Sequence, residues 1–184
     1  YVQQPTAVIT FDDFMREYGL PNPTFTFTVS GAILGDSAAN VASGVGVTTA
    51  TIGSNVGNYP ITGQFTSAAG YRLQFVPGTL GITPATLLFT ADSFIRYLGT
   101  ENPLFTGSVT GFRNGDTIES VFGSGVIWNS PAGLLSPIGF YPVNGGSSAT
   151  NYVFVQAPGN ATALQIIPLP QLSSTPIDLI RETV

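Results

Sequence analysis

Hydrophobic and polar residues alternate along several short segments of the chain. The segment 24–29 alternates throughout and is rich in β-branched and aromatic residues, which predicts a half-buried antiparallel strand with its two phenylalanines and Val29 facing inward. The segments 71–75 and 152–155 alternate in the same way. Glycine, proline and asparagine separate these runs at short intervals, as in folds made mainly of strands. The pattern therefore predicts a mainly β protein.

The same pattern occurs twice along the chain. Residues 6–37 align with residues 86–117 without a gap, at an offset of 80 positions. Identical residues recur at Asp12 and Asp92, Phe14 and Phe94, Arg16 and Arg96, Gly19 and Gly99, Asn22 and Asn102, Phe25 and Phe105, and Gly31 and Gly111. The match resumes further on with slightly larger offsets, because loops accept small insertions at little cost. We therefore predict a first repeat over 1–84, a second over 85–168, and a tail or linker over 169–184.

One segment in each repeat separates two fold classes. Residues 36–41 begin with an aspartate that suits the N-cap of a helix, and residues 116–121 do the same in the second repeat. A short helix at this place favours a β-grasp-like module. A loop there favours an immunoglobulin-like β-sandwich instead. The aspartate makes the β-grasp-like interpretation the preferred one.

The connection between the repeats is short. Pro84 lies within the junction 82–86, biases Thr83 toward extended geometry and removes one backbone donor. We therefore expect the two repeats to be arranged end to end in a monomer. The tail carries Ile177, Leu179 and Ile180 among charged residues, so it is interpreted either as a linker or as an added strand.

Composition removes several classes of function. The chain has no lysine, histidine or cysteine, and only 8% of its residues are charged. Zinc sites of cysteine and histidine, Ser-His-Asp and Cys-His catalysis, and lysine Schiff bases are thereby excluded. The net charge of −5 argues against nucleic-acid binding, and no apolar run is long enough to insert in a membrane. We expect no enzyme and no cofactor.

Five short motifs occur in order along the first repeat and, with departures, along the second. In the first repeat they are Tyr18-Gly19-x-x-Asn22-Pro23-Thr24-Phe25, Gly35-Asp36, Val56-Gly57-x-Tyr59-Pro60-Ile61, Tyr71-x-Leu73-x-Phe75 and Gly78-Thr79-Leu80-x-Ile82-x-Pro84. This series resembles the MBG domain. The second repeat departs from it where Leu98 replaces the tyrosine before Gly99.

The resemblance implies a function without catalytic residues. MBG domains recur in very large secreted bacterial proteins, notably adhesins similar to filamentous haemagglutinin. It implies an extracellular location, on the bacterial surface or secreted, and a structural stalk that supports adhesion or biofilm formation. The expected partners are neighbouring repeats of the same chain. The alternative is an adhesin domain that binds a host or matrix glycan or protein.

Three carboxylates form the densest acidic group. Asp12, Asp13 and Glu17 could supply oxygen ligands to calcium, whereas the second repeat keeps only Asp92. The alternative is a solvated strand edge whose charges prevent edge-to-edge pairing.

Two other residue types are candidates for contacts. Arg16 and Arg96 recur beside Phe14 and Phe94. This predicts that the stem of each arginine packs on an aromatic ring, or that its guanidinium pairs with an acid such as Asp12 or Asp92. The alternative is that the arginines anchor one module to the other. Trp128 is the one tryptophan, and an exposed tryptophan could stack on a sugar ring. Burial in the core, or at the module boundary, is the competing interpretation.

Overall fold

A computed structural model describes residues 3–33, 35–123 and 125–171. In the first repeat, its elements in chain order are β1 (Thr6–Phe11), β2 (Phe14–Glu17), β3 (Phe27–Ser30), α1 (Ala38–Val41), β4 (Ser43–Thr48), β5 (Gly57–Thr66), β6 (Arg72–Val76) and β7 (Gly78–Thr83).

The second repeat follows the same order with two changes. Its elements are β8 (Ala85–Ala91), β9 (Phe94–Tyr97), β10 (Gly107–Thr110), α2 (Ile118–Phe122), β11 (Ile127–Asn129), β12 (Gly139–Tyr141), β13 (Asn144–Gly146), β14 (Tyr152–Gln156), a 3-10 helix (Pro158–Thr162) and β15 (Leu164–Ile167). Two short strands, β12 and β13, stand where the first repeat has the long β5. The 3-10 helix is inserted before the last strand.

In each repeat, the first two strands pair with the last two. In the first repeat β1 pairs with β6, and β2 with β7, both in parallel. The sheets have the strand orders β3-β1-β6 and β2-β7-β5-β4. The second repeat reproduces this plan in the orders β10-β8-β14, β12-β15-β9 and β11-β13, with β9 parallel to β15.

The mainly β prediction is confirmed, with one short α-helix in each repeat. The parallel pairs differ from the antiparallel sheets of an immunoglobulin-like sandwich. Together with the helices, they agree with the preferred β-grasp-like interpretation.

Alternation along the first strand of each repeat supplies the core. Every second side chain of β8 is buried, at Ala85, Leu87 and Phe89, and the same alternation buries Ala7, Ile9 and Phe11 in β1. Phenylalanine rings pack on these strands, edge to face around Phe11 and tilted at Phe89. Phe11 contacts the rings of Phe27 and Phe65 at centroid distances of 5.9 Å, and Phe89 lies 5.1 Å from Phe154. Such pairs add about 0.5–1.5 kcal/mol each beyond the area that they bury.

The strand predicted over 24–29 begins later than expected. It starts at Phe27, and Phe25 precedes it. Phe25 is nevertheless half-buried, because its ring packs against Phe14 with the centroids 5.5 Å apart.

The caps of the two helices also differ from the prediction. Ser37 caps α1 by accepting a hydrogen bond from the Asn40 amide, and Thr117 caps α2 in a capping box with Ser120. The two preceding aspartates were expected to cap, and this is wrong by one residue. Their carboxylates bond to tyrosine hydroxyls instead, as the next subsection describes.

The chain divides into two compact units that do not follow the repeat boundaries. The described residues of Tyr1–Phe89, Val109–Ile127 and Gly146–Val155 form the larger unit, and those of Thr90–Ser108, Trp128–Gly145 and Gln156–Val184 form the smaller one. The larger unit thus holds the whole described first repeat and part of the second. Among the helices of the described residues, none has the length and apolar character of a membrane span.

Candidate functional site

A buried tyrosine bonded to an aspartate recurs in both repeats. In the first, the Tyr71 hydroxyl donates to Asp36 Oδ2 and accepts from the Ile33 amide at 2.9 Å. In the second, the Tyr152 hydroxyl donates to Asp116 Oδ2 at 2.6 Å and accepts from the Arg113 amide at 3.0 Å. Tyr71 directly precedes β6 and Tyr152 begins β14, and these are the next-to-last strands of their repeats. Each aspartate lies two residues before the first residue of the helix. The pair therefore ties these two segments together.

The second pair receives a further tyrosine from the first repeat. The Tyr18 hydroxyl donates to Asp116 Oδ2 at 3.0 Å, and its ring packs edge to face on Tyr152 with the centroids 5.4 Å apart. All three residues belong to the larger unit. Tyr18 is only 4% exposed, whereas Leu98, at the equivalent position of the second repeat, is 37% exposed.

Polar contacts surround Tyr18 within the larger unit. Arg113 donates to Glu17 Oε1 at 3.1 Å in an ion pair that is open to solvent, so its contribution is about 0–1 kcal/mol. The side chain of Asn151 donates to Asn55 Oδ1 at 2.9 Å and accepts from the Val56 amide at 3.0 Å. These bonds join residues that are more than 90 positions apart in sequence. Together with Tyr18 they form what we call the repeat contact.

Burial and the neighbouring carboxylate favour the neutral tyrosines. Burial, followed by the hydrogen bond to Asp116, raises the pKa of Tyr152 and of Tyr18 above the ordinary value. The pKa of Tyr71 is raised chiefly by its hydrogen bond to Asp36. These phenols consequently stay protonated and donate throughout the neutral range.

A polar cavity of about 290 Å³ opens beside the repeat contact. Its lining includes Tyr18, Asn55, Asp116, Ser120, Asn151 and Tyr152. These groups supply hydrogen-bond donors, acceptors and aromatic rings, a combination that can hold a small polar ligand.

The two repeated arginines are buried and bind neutral groups. Arg16 donates from Nε to Asn22 Oδ1 at 2.7 Å and from Nη2 to the carbonyl of Thr51 at 2.6 Å. Arg96 makes the same bonds to Asn102 and to the carbonyl of Gly133, also at 2.7 and 2.6 Å. Burial lowers the pKa of Arg16.

The prediction that these arginines pair with acids is therefore wrong, whereas the packing of their stems on aromatic rings stays a prediction. Neither guanidinium pairs with Asp12 or Asp92. Among the described residues, the hydrogen-bond acceptors of each arginine lie within its own repeat, which argues against an anchor between the repeats. Asp12 and Asp92 instead accept hydrogen bonds from threonine hydroxyls, those of Thr26 and Thr106. Sequence reasoning also missed Asn22 and Asn102, although their recurrence six residues after each arginine was a usable signal.

The candidate calcium ligands do not come together. Asp13 accepts from the Thr79 amide at 2.7 Å, Glu17 pairs with Arg113, and Asp12 faces Thr26. Within residues 3–33, 35–123 and 125–171, no three acidic side chains form a group able to hold a metal.

Trp128 is half-buried in the smaller unit. Its ring packs against the cluster of Ala132, Val143, Ala163, Leu164 and Ile166. The ring also lies close to Gly107, where an added Cβ would be only 2.5 Å from Trp128 Cζ2. The structure thus places this side chain against the core. The tail residues Ile177, Leu179 and Ile180 lie outside the described residues.

Removing the Tyr18 hydroxyl tests the repeat contact. Tyr18→Phe keeps the ring packing but takes one donor from Asp116, so we expect a loss of about 1 kcal/mol in the free energy of unfolding. The measurement is urea unfolding followed by circular dichroism. As a control, Tyr59→Phe removes an exposed hydroxyl that donates to the carbonyl of Asn55, and about 0.5 kcal/mol or less is expected. Equal losses for the two variants would contradict the role given to Asp116.

Two equivalent glycines give a matched test of the same contact. Gly19 and Gly99 have φ of +76° and +79°, so alanine strains both backbones by about 1 kcal/mol. An added Cβ at Gly19 would lie 2.4 Å from Arg113 Cβ, whereas at Gly99 it meets nothing within 4 Å. We expect Gly19→Ala to cost about 1–2 kcal/mol more than Gly99→Ala in urea unfolding. Equal costs would show that the Gly19 turn does not touch Arg113 in solution.

Alkaline pH should weaken the fold through the tyrosines. Because the folded pKa of Tyr18 and Tyr152 lies above the value of about 10 in the unfolded chain, their contribution is complete below that pH and is lost as the pH rises above it. We expect an unfolding free energy that is level from pH 7 to 9 and falls beyond about pH 10. Urea titrations across this range measure it. A smaller fall is expected in Tyr18→Phe, and an unchanged fall would assign the effect to other groups.

Comparison with known families agrees with the internal repeat. The family model of the MBG domain (YGX type) matches residues 7–81 and, a second time, residues 87–162. No curated protein and no solved structure matches this chain. The two matched segments coincide closely with the repeats inferred from the sequence, and each contains one of the Tyr–Asp pairs.

Proposed function

This chain belongs to the MBG domain family of the YGX type, and from that membership we propose that it is a non-catalytic spacer segment of a large bacterial adhesin, on the cell surface or secreted. In this role its repeats hold a distant adhesive region and so support adhesion or biofilm formation. The chain itself needs no cofactor for this, and its partners are neighbouring repeats.

The observation that carries the proposal is the repeat contact. A spacer must limit bending where one repeat follows the next. Burying the Tyr18 ring on Tyr152, bonding its hydroxyl to Asp116 and pairing Asn55 with Asn151 restrain that connection within the larger unit. The polar and aromatic side chains of the repeat contact hydrogen-bond and pack against one another, which suits a structural role.

The polar cavity beside Tyr18 supports a second candidate function. Its tyrosine, aspartate and asparagine groups suit a glycan hydroxyl better than the half-buried Trp128 does. On this alternative the chain is a ligand-binding domain of the adhesin.

Binding arrays separate the two candidates. We expect the purified chain to show no saturable binding to glycans or matrix proteins. The matched variants are Asn55→Ala, which changes a side chain of the cavity lining, and Gln64→Ala, an exposed position on β5 outside that lining. Saturable binding that Asn55→Ala abolishes and Gln64→Ala preserves would overturn the spacer proposal in favour of a binding domain.

A further inference from the structure

The Asp36–Tyr71 pair of the first repeat is bonded in the same way as the Asp116–Tyr152 pair of the second. Among the described residues, it lacks the third residue that Tyr18 supplies to the second pair. The backbone amide bonded to each hydroxyl comes from equivalent positions, Ile33 and Arg113. The carboxylates differ in exposure, because Asp36 is exposed whereas Asp116 is half-buried. Asp116 accepts from two phenols. Asp36 accepts from Tyr71, and within the described ranges no second tyrosine hydroxyl donates to it.

From this equivalence we propose that the pair Asp36–Tyr71 is a docking site for the Tyr-Gly turn of a further MBG repeat. The occupant is defined by the chemistry of the repeat contact: a tyrosine whose hydroxyl donates to the exposed carboxylate of Asp36, as Tyr18 donates to Asp116. The proposal rests on the proposed function only in taking the partner to be another repeat.

The residue beside the pair narrows the choice of partner. Ile33 stands where the second repeat has Arg113, and it is 57% exposed. Arg113 faces the acidic Glu17, which directly precedes Tyr18. An isoleucine at that place favours a turn whose tyrosine follows an apolar or aromatic residue. The docking turn therefore has an apolar or aromatic residue followed by Tyr-Gly.

The second repeat nearly matches this form but lacks the hydroxyl. Its turn reads Tyr97-Leu98-Gly99, and the Leu98 side chain is exposed. A second copy of this chain therefore presents the turn without the donor. Leu98→Tyr would supply the missing phenol and convert the chain into a probe for its own docking site.

The test uses cross-linking between two full chains. Because the sequence contains no cysteine, single cysteines at Tyr97 and Ile33, the equivalents of the paired Glu17 and Arg113, report one geometry. Chains with Tyr97→Cys, with and without Leu98→Tyr, are mixed with Ile33→Cys chains and a short bismaleimide. We expect the heterodimer to form at least ten-fold faster when the Leu98→Tyr substitution is present. A Val45→Cys chain in place of Ile33→Cys measures random encounters from another exposed position in the first repeat.

A change at the acceptor completes the test. Asp36→Ala in the Ile33→Cys chain should return the rate to that of the chain that keeps Leu98. Asp36→Asn, which keeps a weaker acceptor and is the safer substitution for folding, should give an intermediate rate. Equal rates with and without Leu98→Tyr, or a rate that neither Asp36 variant lowers, would overturn the proposal. Binding on the arrays would instead refute the spacer function and leave the cross-linking result standing.

Discussion

Arg16→Met should destabilise the chain by about 3 kcal/mol, among the largest effects expected of any side-chain truncation here. The methionine fills the space of the arginine stem, but Asn22 Oδ1 and the carbonyls of Glu17 and Thr51 lose their donors. Arg16 is only 7% exposed, so water replaces those donors poorly. Each buried acceptor left without a partner costs about 1–3 kcal/mol. Urea unfolding followed by circular dichroism measures the change.

Two variants control this result. Arg72→Met removes an exposed arginine of β6, and a change within about 0.5 kcal/mol is expected. Arg16→Lys keeps the charge but cannot direct several donors at fixed angles, so it should recover only part of the loss. If Arg16→Met unfolded at the same urea concentration as Arg72→Met, the buried network would not hold the first repeat.

Gly111→Ala should cost about 3 kcal/mol for a different reason, a close approach of two backbone segments. The residue has φ of +103°, and an added Cβ would lie 2.4 Å from the carbonyl oxygen of Thr86. The positive φ strains an alanine by about 1–2 kcal/mol, and the clash with a backbone atom of β8 adds about as much. The same urea measurement applies.

Gly115→Ala is the matched control for that prediction. Gly115 also has a positive φ, +77°, but an added Cβ meets nothing within 4 Å. A cost of about 1 kcal/mol is expected, from backbone strain alone. Equal costs at Gly111 and Gly115 would mean that the strand next to Gly111 can move aside.

The sequence predicts the repeat well because repetition is visible without any structure. The 80-residue offset predicted two copies of one module, and the recurring elements and the two family matches agree with it. Alternation predicted strands at 71–75 and 152–155, and the structure has them at Arg72–Val76 and Tyr152–Gln156. It failed at Phe25, because a side chain can pack inward from a residue that precedes its strand.

Long-range partners could not be predicted in this way. One of the carbonyls that Arg16 binds comes from Thr51, 35 residues away, and no local spacing indicates it. Two aspartates precede Arg16 in the sequence, and this predicts an ion pair. The guanidinium is buried instead, and it donates to backbone carbonyls and to Asn22 Oδ1. Local spacing predicts a helix cap at Asp36, whereas its actual partner, Tyr71, lies 35 residues further on.

The sequence indicates only one side of the repeat contact. The replacement of Tyr18 by Leu98 could be read from the alignment, but not what the tyrosine does. Its function depends on Asp116, 98 residues away. A difference between two copies of a repeat is thus a useful pointer to a contact that only one copy makes.

The parallel pairing between the strands that begin and end a repeat determines how it responds to tension. Phe14 to Glu17 run in register beside Leu80 to Thr83, and both strands point the same way. A pull on the two ends of the first repeat therefore slides β2 and β7 past one another along their axes. The hydrogen bonds between them lie across that direction and are loaded together instead of being unzipped one at a time. In the second repeat β9 and β15 are also parallel. In each repeat, a stretching force therefore loads all the hydrogen bonds between these two strands together.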